Sequence, residues 1–194
     1  MCHEPLLDTR VLLLLPKIDD DLAAKAQAAG CSYCGGRLDV SDFPRSPLSV
    51  GGDGLEGDYD SRRSFCCAVE GCRRRCTPPS VRFLGRKVYV GAVVVLAAAL
   101  QHGPSKKSVT KLAALLGVSR RTLVRWRRWW STMFATSRFW TDLRGRFVPV
   151  VDEATLPASL LSRVTPVADE STLVTLLRLL APISTRPHLE ASAS

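Results

Sequence analysis

The chain has 194 residues, 46% of them hydrophobic, and a formal net charge of +9. That hydrophobic share can bury a core and excludes wholesale disorder, while the length allows one domain or two small ones. The positive balance points to a polyanionic partner, and it is concentrated: from Cys72 to Arg146 there are 17 Lys or Arg against one acid, Asp142, giving that segment +16 and the rest of the chain −7.

Residues 1–30 read as a strand-like run, RVLLLLP, followed by a helix, DDDLAAKAQAAG. Three acids at the start of that helix and Gly30 at its end have the polarity expected of helix ends. The apolar run Val11–Leu15 is too short for a secretion signal. The longest apolar run, Val88–Leu100, is too short to span a bilayer. A soluble, cytoplasmic protein with no membrane partner is therefore expected.

Residues 31–80 hold six of the seven cysteines. An odd number at short spacings suits a metal site in a reducing compartment better than a disulfide framework. CSYCGG, residues 31–36, is a C-x2-C knuckle whose two thiolates can reach one tetrahedral ion, with glycines that let the backbone turn tightly. FCCAVEGCRRRC, residues 65–76, offers four more thiols, of which a tetrahedral site needs two. Cys67 and Cys72, with Gly71 at the turn, are preferred, giving the set Cys31, Cys34, Cys67 and Cys72. An extended Phe65–Cys67 turns Cys66 to the opposite face, and Cys76 is a spare thiol, although either could replace an assigned ligand. Four thiolates leave no open coordination position, so the expected Zn²⁺ is structural. A redox C-x-x-C normally lies between a strand and a helix, which does not fit the glycines that follow here. Cys2 and His3 are weaker candidates still. The Gly, Ser and Asp-rich stretch between the pairs reads as an exposed loop, and Pro78 and Pro79 interrupt regular structure after it.

Residues 81–135 read as helical, with RKVYVGAVVVLAAALQ (86–101) as a packing helix ahead of VTKLAALLGVSRRTLVRWRR (109–128). In the latter, Gly117 suits a sharp turn and Ser119 is placed to cap a second helix. Leu112, Leu116, Val118, Leu123 and Trp126 supply core positions, and Ala113 leaves room for two helices to approach. This is the pattern of a helix-turn-helix. Arg120, Arg121 and Arg125 fall where such a helix faces base edges, and arginine can grip guanine through two hydrogen bonds. Arg127 and Arg128 are assigned to phosphate, with Ser119, Thr122, Lys106, Lys107, Lys111 and Arg73, Arg74 and Arg75 as further DNA contacts. Trp126, Trp129 and Trp130 read as core or interface residues. Double-stranded DNA is the expected partner.

Residues 136–194 carry five prolines, two short amphipathic helices and a tail, RPHLEASAS, expected to be disordered. The leucine stripes 156, 160, 161 and 173, 176, 177, 180 suit either a homodimer face or the chain's own core. The fold class expected is mainly α with a small β zinc ribbon: a trihelical helix-turn-helix domain plus C-terminal helices.

A zinc ribbon built from CSYCGG and FCCAVEGC, followed by an apolar helix and LAALLGVSRRTLVRWRRWW, resembles the N-terminal DNA-binding part of bacterial insertion-sequence transposases. It is also similar to small DNA-binding proteins of mobile elements. The likeness covers residues 31–135. It implies a DNA-binding accessory or regulatory protein, associated with the bacterial nucleoid. Catalytic members of that family place three acids on an RNase H-like fold, for which about 60 residues with five proline breaks leave no room, and catalysis is not carried over. Other readings are a host transcription regulator, a metal-dependent nuclease or minimal transposase, and an RNA-binding or protein-interaction module.

Overall fold

The computed structural model describes residues 9–44, 61–83, 110, 119–166 and 171–185. Its architecture is mainly α with a small antiparallel β module, as the sequence pattern suggests. The first helix, α1, runs from Thr9 to Ala29 with Pro16 inside it. This replaces the strand expected at residues 10–16. Leu15, Ile18 and Ala23 are buried and Leu22 and Ala26 half-buried, a 3.6-residue stripe that continues through the proline. The helix ends at Gly30, whose positive φ of 75° and close approach to the Gly35 carbonyl both call for glycine.

The three acids of α1 lie mid-helix, not in a first turn, and each holds a different stretch of chain. Asp20 accepts from Arg63 Nε at 2.8 Å, and Asp21 accepts from Arg178 at 2.7 Å. Asp19 is buried with Arg82, each side chain 1% exposed. Its carboxylate accepts from Arg82 Nε at 2.8 Å, from Ser80 Oγ at 2.6 Å and from the Val81 amide at 2.6 Å. Val81–Phe83 thus form a buried turn rather than the start of a helix.

The β module packs beneath α1. Strands β1 (Leu38–Val40), β4 (Phe65–Cys67) and β5 (Arg75–Cys76) form one antiparallel sheet in the order β1-β4-β5, with Leu38 opposite Cys67 and Cys66 opposite Arg75. Strands β2 (Phe43–Pro44) and β3 (Ser61–Arg62) pair separately. Leu38, Phe65, Cys31 and Cys67 share a small core with Ala23 of α1, and Gln27 Nε2 donates to the Leu38 carbonyl. The loop expected between the cysteine pairs lies largely outside the described residues, at 45–60.

After the β module, the described chain resumes in helix α2, Arg120–Trp129, which runs into a π turn at Trp130–Phe134. Helix α3, Arg138–Arg144, is an element that the sequence pattern does not predict. Ser137 caps it by accepting from the Trp140 amide at 3.2 Å. Trp130, Phe134, Phe139 and Trp140 join in an aromatic cluster, with rings 4.5 Å apart at Trp130–Phe134 and 5.2 Å at Phe134–Trp140. Two short helices follow, α4 (Ala158–Leu161) and α5 (Thr172–Leu180), each ahead of or beside a 3₁₀ turn at Glu153–Thr155 or Ala181–Thr185. All seven stripe leucines are buried, none more than 8% exposed. They close the chain's own core, and the expectation of a homodimer through these helices is not supported. The tail from residue 186 lies outside the described residues.

Candidate metal centre and nucleic-acid interface

Two knuckles face each other across the ribbon. In the first, the Gly35 amide donates to the Cys31 carbonyl at 2.8 Å and the Cys31 amide to the Gly36 carbonyl at 2.9 Å. A side chain at Gly36 would meet the Val69 methyl and crowd the sulfurs of Cys34 and Cys67, so Val69 would have to shift to admit one. In the second, the Cys72 amide donates to the Val69 carbonyl, and Gly71 turns at φ 86°. The sulfurs of Cys31, Cys34, Cys67 and Cys72 then lie within 4.8 Å of one another. Cys34 and Cys67 are 3.4 Å apart and Cys31 and Cys72 3.8 Å. A tetrahedral ion with bonds of about 2.3 Å separates its sulfurs by about 3.8 Å. The cluster is compatible with a metal ion at its centre.

Electrostatics agree with that geometry. Backbone amides of Tyr33 and then Cys34 hold the Cys31 thiol down to about 7. At Cys67 the Val69 amide favours the thiolate, but burial and the neighbouring sulfurs outweigh it and push the thiol up to about 12. Once one sulfur is ionised its neighbours resist following, unless a cation sits among them. Cys66 turns away from the four, its thiol directed to the Arg73 carbonyl at 3.4 Å. Cys76 packs against the small core, where burial and then Cys31 raise its thiol.

The second candidate surface is α2. Ser119 caps it: its hydroxyl accepts from the Thr122 amide at 3.2 Å, so an otherwise orphaned donor is satisfied. From that cap, Arg121, Arg125 and Arg128 project into solvent with Thr122 half-buried beside them. The helix contains no acid to neutralise them. Towards its end Trp130 is buried and Trp129 half-buried, which anchors α2 in the aromatic cluster and leaves the arginine side open.

Residues 92–133 match the family model of the homeodomain-like domain. The helix with the exposed arginines lies inside that homeodomain-like segment, which points to DNA binding. No curated protein and no solved structure matches the chain. Lys106, Lys107 and Lys111, Gly117 and the core positions Leu112, Ala113, Leu116 and Val118 lie outside the described residues, as do the side chains of Arg120, Leu123, Trp126 and Arg127. Arg73, Arg74 and Arg75 lie on the ribbon and are exposed. Among the described residues, no helix is long and apolar enough to cross a membrane.

A contact between the two knuckles has no signature in the sequence. The Arg74 guanidinium sits 3.9 Å from the centre of the Tyr33 ring, joining the second knuckle to the first. The residue types were visible, but the strand register that brings positions 41 residues apart together was not.

Proposed function

We propose that the protein is a non-catalytic, sequence-specific DNA-binding protein that serves a mobile element as an accessory or regulatory factor. The observation that carries this reading is the Ser119-capped helix within the homeodomain-like segment, with Arg121, Arg125 and Arg128 exposed and no acid among them. Helix α2 enters the major groove. Arg120, Arg121 and Arg125 contact base edges, and Arg127 and Arg128 contact phosphate. Ser119, Thr122, Lys106, Lys107 and Lys111 fix the register on the backbone. Zn²⁺ bound by Cys31, Cys34, Cys67 and Cys72 holds the ribbon, so that Arg73, Arg74 and Arg75 add phosphate contacts beside the main site. Support for the mobile-element role is the order of the parts: a cysteine ribbon ahead of a helix-turn-helix, as in the transposase regions the sequence resembles.

Fluorescence anisotropy of the zinc-loaded protein tests this, with duplexes from around its own gene and a scrambled duplex across a salt series. Tighter binding to the native sequence that persists as salt rises is the expected result. Equal, steeply salt-dependent binding to both would overturn sequence specificity, and no binding at low salt would overturn the DNA reading altogether.

A further inference from the structure

Tyr33 lies between two clustered cysteines in the first knuckle and is 65% exposed. Its neighbours fix its place. Cys31 and Cys34 flank it, and the Cys31 carbonyl accepts from the Gly35 amide directly after the turn. Arg74 reaches it from the second knuckle, 3.9 Å from the ring centre, so one face of the ring is covered by a guanidinium plane. The Arg74 backbone is held as firmly, because its carbonyl accepts from the Cys67 amide at 2.9 Å. On either side Arg73 and Arg75 are exposed, Arg75 donating to Ser41 Oγ at 3.3 Å and lying 5.6 Å from the centre of the Phe43 ring, and no acid pairs with any of the three among the described residues. Arg73 is itself held at φ 44°, a left-handed conformation that a residue with a side chain seldom adopts.

An exposed aromatic ring with an arginine over it, set among exposed cations that no acid pairs with among the described residues, joins two complementary chemistries. The cations suit phosphate, and the flat ring suits a base. Acidic peptides would use the arginines and leave the ring face idle. In an intact duplex each base face is already covered by its neighbours, so a base must be unpaired to use the ring. We infer that Tyr33 and Arg74 form a stacking platform for an unpaired nucleobase, at a single-stranded end adjoining the duplex held by α2. This deepens the DNA-binding reading and rests on it. The ligand class is DNA with a duplex–single-strand junction, with Arg73 and Arg75 on the phosphates of the single strand.

The test uses the full zinc-loaded chain and two labelled DNAs, a blunt duplex and the same duplex with a single-stranded overhang. Wild type is expected to bind the overhang DNA about tenfold more tightly, the scale of one base stacked on an aromatic ring. Tyr33→Ser should abolish that preference while leaving blunt-duplex affinity and zinc content unchanged, and Tyr33→Phe should restore it. With 5-iododeoxyuridine in the overhang, the photo-crosslink should map to Tyr33. Equal affinity of wild type for the two DNAs, a preference that survives Tyr33→Ser, or a crosslink found only elsewhere would each overturn the platform, with duplex binding intact. Failure to bind either DNA would overturn it together with the DNA reading.

Discussion

At the scale of single residues, the arginines of α2 differ from those of the ribbon in how the backbone holds them. Arg121 and Arg125 extend from a capped helix on the turns next to its N-terminus, where a recognition helix meets base edges. Replacing either with Ala should cost about 1–3 kcal/mol at the base pair it reads and relax preference there, which a panel of single-base variants in the anisotropy assay would reveal. Uniform weakening over all the duplexes would mean that the side chain touches phosphate only. Arg73 has a conformational cost besides its charge. Left-handed backbone costs a residue with a side chain about 1–2 kcal/mol, and glycine avoids it. Arg73→Gly is therefore expected to stabilise the zinc-loaded ribbon by up to about 1 kcal/mol in thermal unfolding. The same change should lower the salt slope of DNA binding by about one phosphate contact. A stabilised variant with an unchanged slope would remove Arg73 from the interface.

Among the elements, those marked by a cap ahead of a long run or by closely spaced cysteines are legible in the sequence, and those whose apolar face is short or interrupted by proline are not. Ser119 ahead of an apolar, basic run marks a helix start, and Ser119 does cap α2. Cysteines three residues apart with glycines beside them mark a knuckle, and the four sulfurs that approach are those of residues 31, 34, 67 and 72. By contrast, the apolar run 11–15 is too short to show a period, and only Ile18, Leu22 and Ala23 beyond Pro16 reveal that it belongs to a helix. Helix α3 has Ser137 ahead of Phe139, Trp140 and Leu143, but a capped apolar face of two turns is too short to stand out from the proline-broken stretch that follows.

Two predictions belong to this scale. Metal entering the ribbon displaces thiol protons, so affinity should fall as pH falls. Cys31 is held down to about 7, and its proton adds to those displaced only below that value. Competition with a chromophoric chelator should therefore show zinc affinity falling more steeply below about pH 7, by about one further proton. A pH-independent affinity would show that the metal is not held by thiolates. In the aromatic cluster, Glu153 accepts from Trp140 Nε1 at 2.8 Å and pairs with Arg144 at 3.1 Å, and these two groups hold its carboxyl below the ordinary value. A lowered carboxyl stabilises the fold above its ordinary value and loses that contribution as pH falls through the lowered one. Glu153→Gln should thus lower the melting temperature at neutral pH, with the difference from wild type closing in acid. A difference of constant size across that range would point to packing, not charge.

Among the described residues, α1 is tied through its acids to the ribbon, to the turn at Ser80–Arg82 and to the last long helix. Its buried Asp19 faces Arg82 with Ser80 and the Val81 amide completing the carboxylate's partners, and Arg82 also donates to the Ser61 carbonyl at 3.1 Å. Ser80 in turn donates through its amide to Ser184 in the last 3₁₀ turn. Removing one member of a buried ion pair strands the other, at a cost of about 3–5 kcal/mol. Asp19→Asn is expected to lower unfolding stability on that scale and to loosen the ribbon and the C-terminal helices together, which hydrogen exchange would resolve by region. Loss of protection in the ribbon alone would mean that the C-terminal helices are held by their leucines. The same long reach explains why these acids looked like helix caps in the sequence, where their partners' distance conceals the pairing.

The three neighbouring acids also span very different lengths of chain. Asp20 binds a partner 43 positions on, Asp19 one 63 positions on, and Asp21 one 157 positions on. A ribosome delivers those partners in that order. The first two emerge before the homeodomain-like segment has been translated, and the third after it is complete. The ribbon can therefore be fastened to α1 while α2 is still unmade, and the last fastening closes behind that helix once synthesis has passed it.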